Sequence, residues 1–177
     1  MININQLGAI MPEAGNRIFD FFGPLNDTMD EFQINTPQRQ AAFLAQVAYE
    51  SGQLRWLEEI ASGEAYEGRK DLGNTEPGDG VRFKGRGLLQ ITGRANYASC
   101  GSALGLDLIA EPELLATPTN AARSAGWFWS DFKHLNGLAD AGNFRLITIR
   151  INGGLTGYDD GPGSRVALWN VAKEQIT

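Results

Sequence analysis

The feature that most constrains the fold is an apolar run, AAFLAQVAYE, at positions 41–50. Thr36 and Pro37 precede it and supply a hydroxyl N-cap and a proline at the first helical position, which is a common way to start a helix. Ser51-Gly52 ends the pattern. A helix that is apolar nearly all round must be covered by other elements on every side. The sequence therefore predicts a mainly α fold built around one central buried helix.

Helical patterns flank this central helix on both sides. They occupy residues 4–10, 14–33, 93–105, 118–132, 143–153 and 164–176, and Gly23-Pro24 suggests a break within the second of them. Residues 62–93 instead contain many turn-forming residues, and Asp79-Gly80 predicts a short β-hairpin there. Neither an internal repeat nor a linker divides the chain, so we expect a single domain at residues 1–177.

Composition argues against several classes of function. The formal net charge of −6 disfavours binding to nucleic acids or anionic membranes, because both need clustered Lys and Arg. No apolar stretch approaches the roughly 20 residues of a membrane span, so we expect no membrane insertion. With one cysteine and one histidine, the chain is expected to form neither an internal disulfide nor a His- or Cys-based metal site. We predict that it needs no cofactor.

Two acidic residues, Glu50 and Glu59, follow the central helix closely. On one straight helix nine residues turn through about 900° and rise about 13–14 Å, which places the two side chains on opposite faces. They can cooperate only if Ser51-Gly52 lets the chain fold back across a groove. Glu58 is an equal competitor for the second role, and the residues alone leave Glu58 and Glu59 open.

The position of Glu50 in the last helical turn has two interpretations. It is either a solvated acid at a helix end or a carboxyl with a chemical task. The negative end of the helix dipole and apolar neighbours such as Tyr49 and Trp56 favour the protonated form of a carboxyl there. A carboxyl that stays protonated at neutral pH would suit a proton donor.

The glycine-rich segment GDGVRFKGRGLLQITG at positions 78–93 does not match a phosphate-binding motif. The pattern GxxxxGK[ST] is absent, and Gly85-Arg86-Gly87 lacks a third glycine at the dinucleotide spacing. Sugars are recognised by amide, hydroxyl and aromatic groups. Such groups are present here as Arg86, Gln90, Thr92, Asn96 and Tyr97. Trp127 and Trp129 are further candidates for sugar platforms, although core packing is the favoured interpretation.

Several blocks of sequence together resemble family 19 glycoside hydrolases. They are YESG at 49–52 with an acid nine positions after its Glu, FKGRG at 83–87, LLQITGRANY at 88–97, PELL at 112–115, AARSAGWFW at 121–129 and INGG at 151–154. The resemblance spans about residues 36–175 and is greatest to the short phage and prophage endolysins of this chitinase-like, lysozyme-related family. It implies a lysozyme-like, two-lobed α domain with a substrate cleft and a small irregular or β-hairpin segment.

The resemblance also implies roles for individual residues. By motif position Glu50 is the general acid of an inverting reaction, Glu59 is the general base that activates water, and Thr92 helps to hold that water. The implied substrate-binding residues are Gln90, Asn96, Tyr97, Asn152 and Arg165.

Two departures from the family pattern concern this site. Tyr49 stands where the family usually has His, and Gly161–Ser164 separate Asp160 from Arg165. The contributions of Tyr66, Glu67 and Arg69 stay open at this level.

The function implied is hydrolysis of the β-1,4 glycan of peptidoglycan by a monomeric, endolysin-type enzyme. The alternatives are a chitinase acting on N-acetylglucosamine polymer and a catalytically silent glycan-binding domain. The first residues, MININQLGAIMPEAG, lack the basic start and long apolar run of a signal peptide. We therefore expect synthesis in the host cytoplasm and action on the cell wall after holin-type release.

Overall fold

The computed structural model describes all of residues 1–177, and almost all of its regular structure is helical. The α-helices are α1 (Ile4–Ile10), α2 (Arg17–Glu31), α3 (Pro37–Glu50), α4 (Asp79–Arg82), α5 (Arg94–Leu104), α6 (Pro118–Trp127), α7 (Asn136–Asp140), α8 (Phe144–Asn152) and α9 (Arg165–Gln175). Short 3-10 turns lie at Pro12–Ala14, Glu64–Tyr66, Lys70–Leu72 and Pro112–Ala116, and a π-helical turn at Phe128–Phe132 continues α6. No helix combines the length and the apolar character that a bilayer crossing would need.

The central helix α3 is buried on all sides, as its sequence predicts. Thr36 caps it by accepting a hydrogen bond from the Arg39 amide, and every residue from Gln40 to Ala48 is buried. Its main partner is α9 at the far end of the chain, and α1 and α7 pack against it as well. This packing fixes the C-terminal end of α3, where Glu50 is the last helical residue.

One cluster of 40 buried apolar side chains runs from Ile2 to Ile176 and joins the helices. Within it α2 packs against α6, and α2 continues through Pro24 without the break that Gly23-Pro24 suggested. A proline inside a helix costs about 3 kcal/mol or more through a lost hydrogen bond and a steric clash. Burial of Phe21, Leu25 and Met29 on the same face of α2 offsets that cost.

The predicted hairpin at Asp79-Gly80 is wrong. These residues begin the single-turn helix α4, because the buried Asp79 carboxylate accepts hydrogen bonds from the Thr75 and Glu76 amides at 3.1 and 3.0 Å. Strand-like pairing occurs elsewhere in the same segment, where Arg86 forms isolated antiparallel bridges with Glu58 and with Ile91. The chain after Glu59 is therefore an irregular, hydrogen-bonded loop rather than a hairpin.

Candidate active site

A cleft of about 620 Å³ opens between the end of α3 and the irregular segment. Its walls come from Glu50, the turn around Tyr66, residues 89–92, the first turn of α5, the junction of α6 with the π-helical turn, and the end of α8. Predicted residues Gln90, Thr92, Asn96 and Asn152 all line this cleft. Six parts of the chain thus bring the candidate residues to one place.

Glu50 borders the cleft with a side chain that is 20% exposed, and its neighbour is a buried cation. Arg165 Nη1 lies 2.6 Å from Glu50 Oε1, and the Arg165 side chain is only 1% exposed. The contact is an ion pair by distance but lacks the alignment of a hydrogen bond, and Nη1 also donates to Gln46 Oε1 at 2.5 Å. The apolar surroundings expected for Glu50 are therefore wrong: a guanidinium covers the inner oxygen.

The loop before α9 holds Arg165 in this position. Arg165 Nε donates to the Thr156 carbonyl at 3.1 Å, and its amide donates to the Gly157 carbonyl at 2.9 Å. The guanidinium lies 4.0 Å from the centre of the Tyr49 ring. A Cβ on Gly157 would overlap the Tyr49 hydroxyl, so only glycine fits at this close approach. Tyr49, which stands where the family usually has His, thus packs its ring against the Arg165 guanidinium.

The resemblance implied that Arg165 binds substrate. The structure contradicts direct binding, because the Arg165 side chain is buried. It reaches the cleft only through Glu50. The Gly161–Ser164 insertion does not displace it, since the Ser164 hydroxyl accepts from the Ala167 amide at 3.2 Å and caps α9. These four residues form the turn that leads into α9.

Glu59 stands outside any helix and receives two donors. The Tyr66 hydroxyl donates to Glu59 Oε1 at 3.0 Å, and the Gly85 amide donates to Oε2 at 3.2 Å. The Glu59 amide in turn donates to the Gly85 carbonyl at 2.9 Å. Burial and the bond to Glu59 both raise the pKa of the Tyr66 hydroxyl, which keeps it a donor.

The neighbouring Glu58 is occupied by a different set of partners. Lys84 Nζ lies 2.6 Å from one of its oxygens, and Arg86 Nε donates to the other at 2.9 Å. Hydrogen bonds from Lys84 and then Arg86 lower the pKa of Glu58 against the opposing effect of burial. This arrangement favours Glu59 over Glu58 as the acid that serves the cleft.

Gly85 marks the point where the polar groups around Glu59 converge. A Cβ at this position would lie 2.6 Å from Gln90 Oε1, 3.2 Å from Glu59 Oε2 and 3.3 Å from Thr92 Oγ1. The Thr92 hydroxyl donates a hydrogen bond to the Gln90 carbonyl at 3.0 Å, so the lone pairs of its oxygen are free to accept one. Gln90 adopts a left-handed backbone with φ of 53°, a conformation that non-glycine residues seldom adopt.

The two remaining asparagines face the cleft, but Tyr97 does not. Asn96 Nδ2 donates to the Thr92 carbonyl at 2.7 Å, and Asn152 is exposed at the end of α8. The prediction that Tyr97 binds substrate is wrong, because its ring is fully buried and its hydroxyl donates to the Lys84 carbonyl at 2.6 Å. Burial raises the pKa of this hydroxyl. Tyr97 braces the segment that carries Arg86.

In one wall of the cleft, sequence reasoning anticipated only Trp127, as a candidate sugar platform. Trp127, Phe128, Phe132 and Lys133 line it, and the rings of Trp127 and Phe132 stack with centres 5.1 Å apart. Trp129 belongs to the core instead and is fully buried. The aromatic spacing in WFWSDFK was visible, but the π-helical turn that rotates Phe132 and Lys133 into the cleft leaves no pattern in sequence.

Known proteins resemble much of this chain in sequence and in fold. The family model for chitinase class I, glycoside hydrolase family 19, matches residues 22–137. A glycosyl hydrolase family 19 domain-containing protein from Haemophilus influenzae is 38% identical over 103 residues, covering 58% of this chain and 48% of the relative. An endochitinase from Arabidopsis thaliana is 41% identical over 153 residues, covering 85% and 52%. The chain spans about half the length of these curated relatives.

The fold has known counterparts as well. The crystal structure of chitinase C from Streptomyces griseus superposes with a TM-score of 0.77, covering 99% of this chain and 76% of that chain at 23% identity. At that identity the likeness concerns the mainly α fold. Since the family model covers well over half of the sequence, the chain belongs to glycoside hydrolase family 19.

Proposed function

We propose that this protein hydrolyses a β-1,4-linked glycan of N-acetylhexosamines with inversion at the anomeric carbon. The observation that carries the proposal is the placement of Glu50 and Glu59. Glu50 lines the cleft. Glu59 is not among the lining residues, but it accepts a hydrogen bond from Tyr66, which is. A sugar chain in the cleft would pass between a proton donor and a base, as inverting chemistry requires.

Glu50 acts as the general acid in this proposal. Its Oε1 faces Arg165, so the other oxygen carries the proton that goes to the leaving-group oxygen. Once that proton has left, the buried guanidinium stabilises the carboxylate that Glu50 becomes. The Tyr49 ring and the carbonyls around Arg165 hold this cation in place through the cycle.

Glu59 acts as the general base. The Tyr66 hydroxyl and the Gly85 amide both donate to its oxygens and hold the carboxyl group in place. A water beside Glu59 would donate one proton to the carboxylate and the other to Thr92 Oγ1, which leaves a lone pair for the anomeric carbon. Inverting enzymes hold their two carboxyls about 6.5–9.5 Å apart to fit such a water.

Peptidoglycan is the substrate we propose. The support is the resemblance of blocks such as FKGRG-LLQITGRANY to the short endolysins of the family. Chitin is the second candidate, because the Arabidopsis thaliana relatives are endochitinases. Both polymers present the β-1,4 linkage and N-acetyl groups that the polar lining and the aromatic wall suit.

The test is digestion of purified peptidoglycan and of chitin oligosaccharides, with mass analysis of the fragments and NMR of the first products. The expected result is reducing ends that appear first as the α-anomer, with faster turnover on peptidoglycan. Anhydro ends would mean that no water attacks and would refute the role of Glu59. A β-anomer as first product would refute inversion.

The Glu50→Gln variant separates an enzyme from a silent glycan-binding domain. We expect it to keep the helical circular dichroism spectrum and to lose turnover by about 10²–10⁴-fold. If wild type releases no fragments from either polymer, or if Glu50→Gln releases them as fast as wild type does, the hydrolase proposal fails.

A further inference from the structure

A second pocket, which we call the arginine pocket, lies just beyond the Glu50 end of α3. It has a volume of about 470 Å³ and is lined by Glu13, Arg17, Gly52, Arg55 and Trp56, none of which lines the cleft. Gly52 follows Glu50 by two residues, so their Cα atoms are at most about 7 Å apart. The arginine pocket is therefore close to the Glu50 end of the cleft.

The backbone beneath the arginine pocket is strained and firmly held. Gly52, Gln53 and Leu54 are consecutive left-handed residues with φ of 56°, 55° and 67°. That conformation is unfavourable for residues that carry a Cβ, and such strain is found most often at functional sites. Two contacts keep it here: Leu54 is fully buried, and Gln53 Oε1 accepts from the Glu13 amide at 2.7 Å. The second contact fixes residues 12–14 against the turn.

The arginine pocket contains two cations that no carboxylate neutralises. The seven ion pairs of the protein include neither Arg17 nor Arg55, although acidic residues outnumber basic ones by 21 to 15. Arg17 Nη2 donates to the Glu13 carbonyl at 2.7 Å, which positions its guanidinium. The Arg55 guanidinium lies 4.6 Å from the centre of the Trp56 ring, and Trp56 is 41% exposed.

We infer that the arginine pocket binds a carboxylate carried by the glycan, and this inference rests on the proposed function. Guanidinium groups match carboxylates with two parallel hydrogen bonds, and an exposed indole offers a flat apolar face to a sugar ring. Peptidoglycan carries carboxylates on its stem peptides, and on its lactyl groups wherever no stem peptide is attached, whereas chitin is neutral. The Glu13 carboxylate at the rim weakens the attraction without neutralising both arginines. The arginine pocket would thus select peptidoglycan over chitin.

The test compares an Arg17→Gln/Arg55→Gln variant with an Arg145→Gln/Lys173→Gln control, which removes the same charge from exposed positions elsewhere. Binding is measured by co-sedimentation with insoluble peptidoglycan and with chitin powder. We expect the pocket variant to bind peptidoglycan roughly tenfold more weakly than the control and chitin equally well. The difference should shrink with added salt, and Glu13→Gln should strengthen peptidoglycan binding.

Peptidoglycan stripped of its stem peptides by an amidase distinguishes the two carboxylate sources. A loss confined to intact wall assigns the pocket to a carboxylate of the stem peptide, and a loss that is greater on stripped strands assigns it to the lactyl carboxylate, which the amidase sets free. Equal peptidoglycan binding by variant and control, or an equal loss on chitin, would overturn the inference. Binding is read without turnover, so a protein that binds but does not cleave contradicts the proposed function alone.

Discussion

Arg165 Nη1 lies 2.6 Å from Glu50 Oε1 behind a wall that leaves the arginine only 1% exposed. Water cannot solvate this cation, so its charge must be balanced by the protein. Glu50 supplies the balancing charge once it has given up its proton in the proposed reaction, and Gln46, Thr156 and the Tyr49 ring supply the remaining partners. The acid of the cleft is therefore also part of the protein's internal charge balance.

Replacing Arg165 should reduce both stability and turnover. We expect Arg165→Gln to lower the free energy of unfolding by about 3 kcal/mol, because Glu50 and Gln46 lose a buried partner. Urea denaturation and turnover on glycan measure the two effects. Arg165→Lys keeps the charge but loses the fork, and it should fall between wild type and Arg165→Gln. Unchanged stability of Arg165→Gln would contradict the contact.

The two adjacent acids should respond differently to the same substitution. We expect Glu59→Gln to lower turnover by about 10²–10⁴-fold with little change in stability, because it removes a base. Glu58→Gln breaks the contacts to Lys84 and Arg86, so it should lower stability by about 1 kcal/mol and keep most of the turnover. Parallel thermal melts and product assays separate the outcomes. The opposite pattern would assign the base to Glu58.

A single methyl group at position 85 should block the cleft. In Gly85→Ala the new Cβ would lie 2.6 Å from Gln90 Oε1 and within 3.3 Å of Glu59 and Thr92 oxygens. These groups must move apart, and we expect turnover to fall by about 10²-fold while the far-UV spectrum stays unchanged. Gly137→Ala tests glycine loss in open space, at a position without a left-handed backbone, and should keep activity. Full activity of Gly85→Ala would show that the groups around Glu59 tolerate displacement.

Asp79 should give the loop around the cleft a pH-dependent stability. The hydrogen bond from Arg94 lowers the pKa of Asp79, and the side chain is almost fully buried. A lowered pKa contributes stability that is complete above about pH 4 and is lost as the pH falls through the folded-state value. We expect Asp79→Asn to cost about 2 kcal/mol at neutral pH and progressively less below about pH 4. A cost that is constant from neutral to acidic pH would contradict the ion pair.

The helices could be predicted because their boundaries are local. Thr36-Pro37 starts α3 and Gly105 ends α5 by rules that need only neighbouring residues. The same approach gave the wrong element at Asp79-Gly80, because this dipeptide is compatible with both a turn and a helix start. The Asp79 carboxylate accepts from the Thr75 and Glu76 amides and also from Arg94, which reaches it from α5, and the Asp-Gly pair alone predicts neither contact.

The candidate site, like the helices, could be predicted only in part. Motif spacing placed Glu50, Gln90, Thr92, Asn96 and Asn152 at the cleft. It could not predict that Tyr97 is buried, because the burial depends on tertiary packing.

The choice between Glu58 and Glu59 likewise depended on residues far along the chain. Lys84 and Arg86 occupy Glu58, and only the folded chain brings them together with it. The guanidinium beside Glu50 comes from the last helix, where no local pattern announces a partner for an acid on α3.

The position of Arg165 on the last helix has a consequence for how this enzyme can be divided or recombined. The region matched by the family model ends at residue 137, yet the counterion of the proposed proton donor comes from residue 165. A shortened version that keeps every cleft-lining residue but stops before α9 would leave the Glu50 carboxyl beside the cavity from which Arg165 had been removed. When the C-terminal segment is exchanged between relatives, the residue at position 49 must therefore be exchanged with it, because Tyr49 leaves room only for a glycine at position 157.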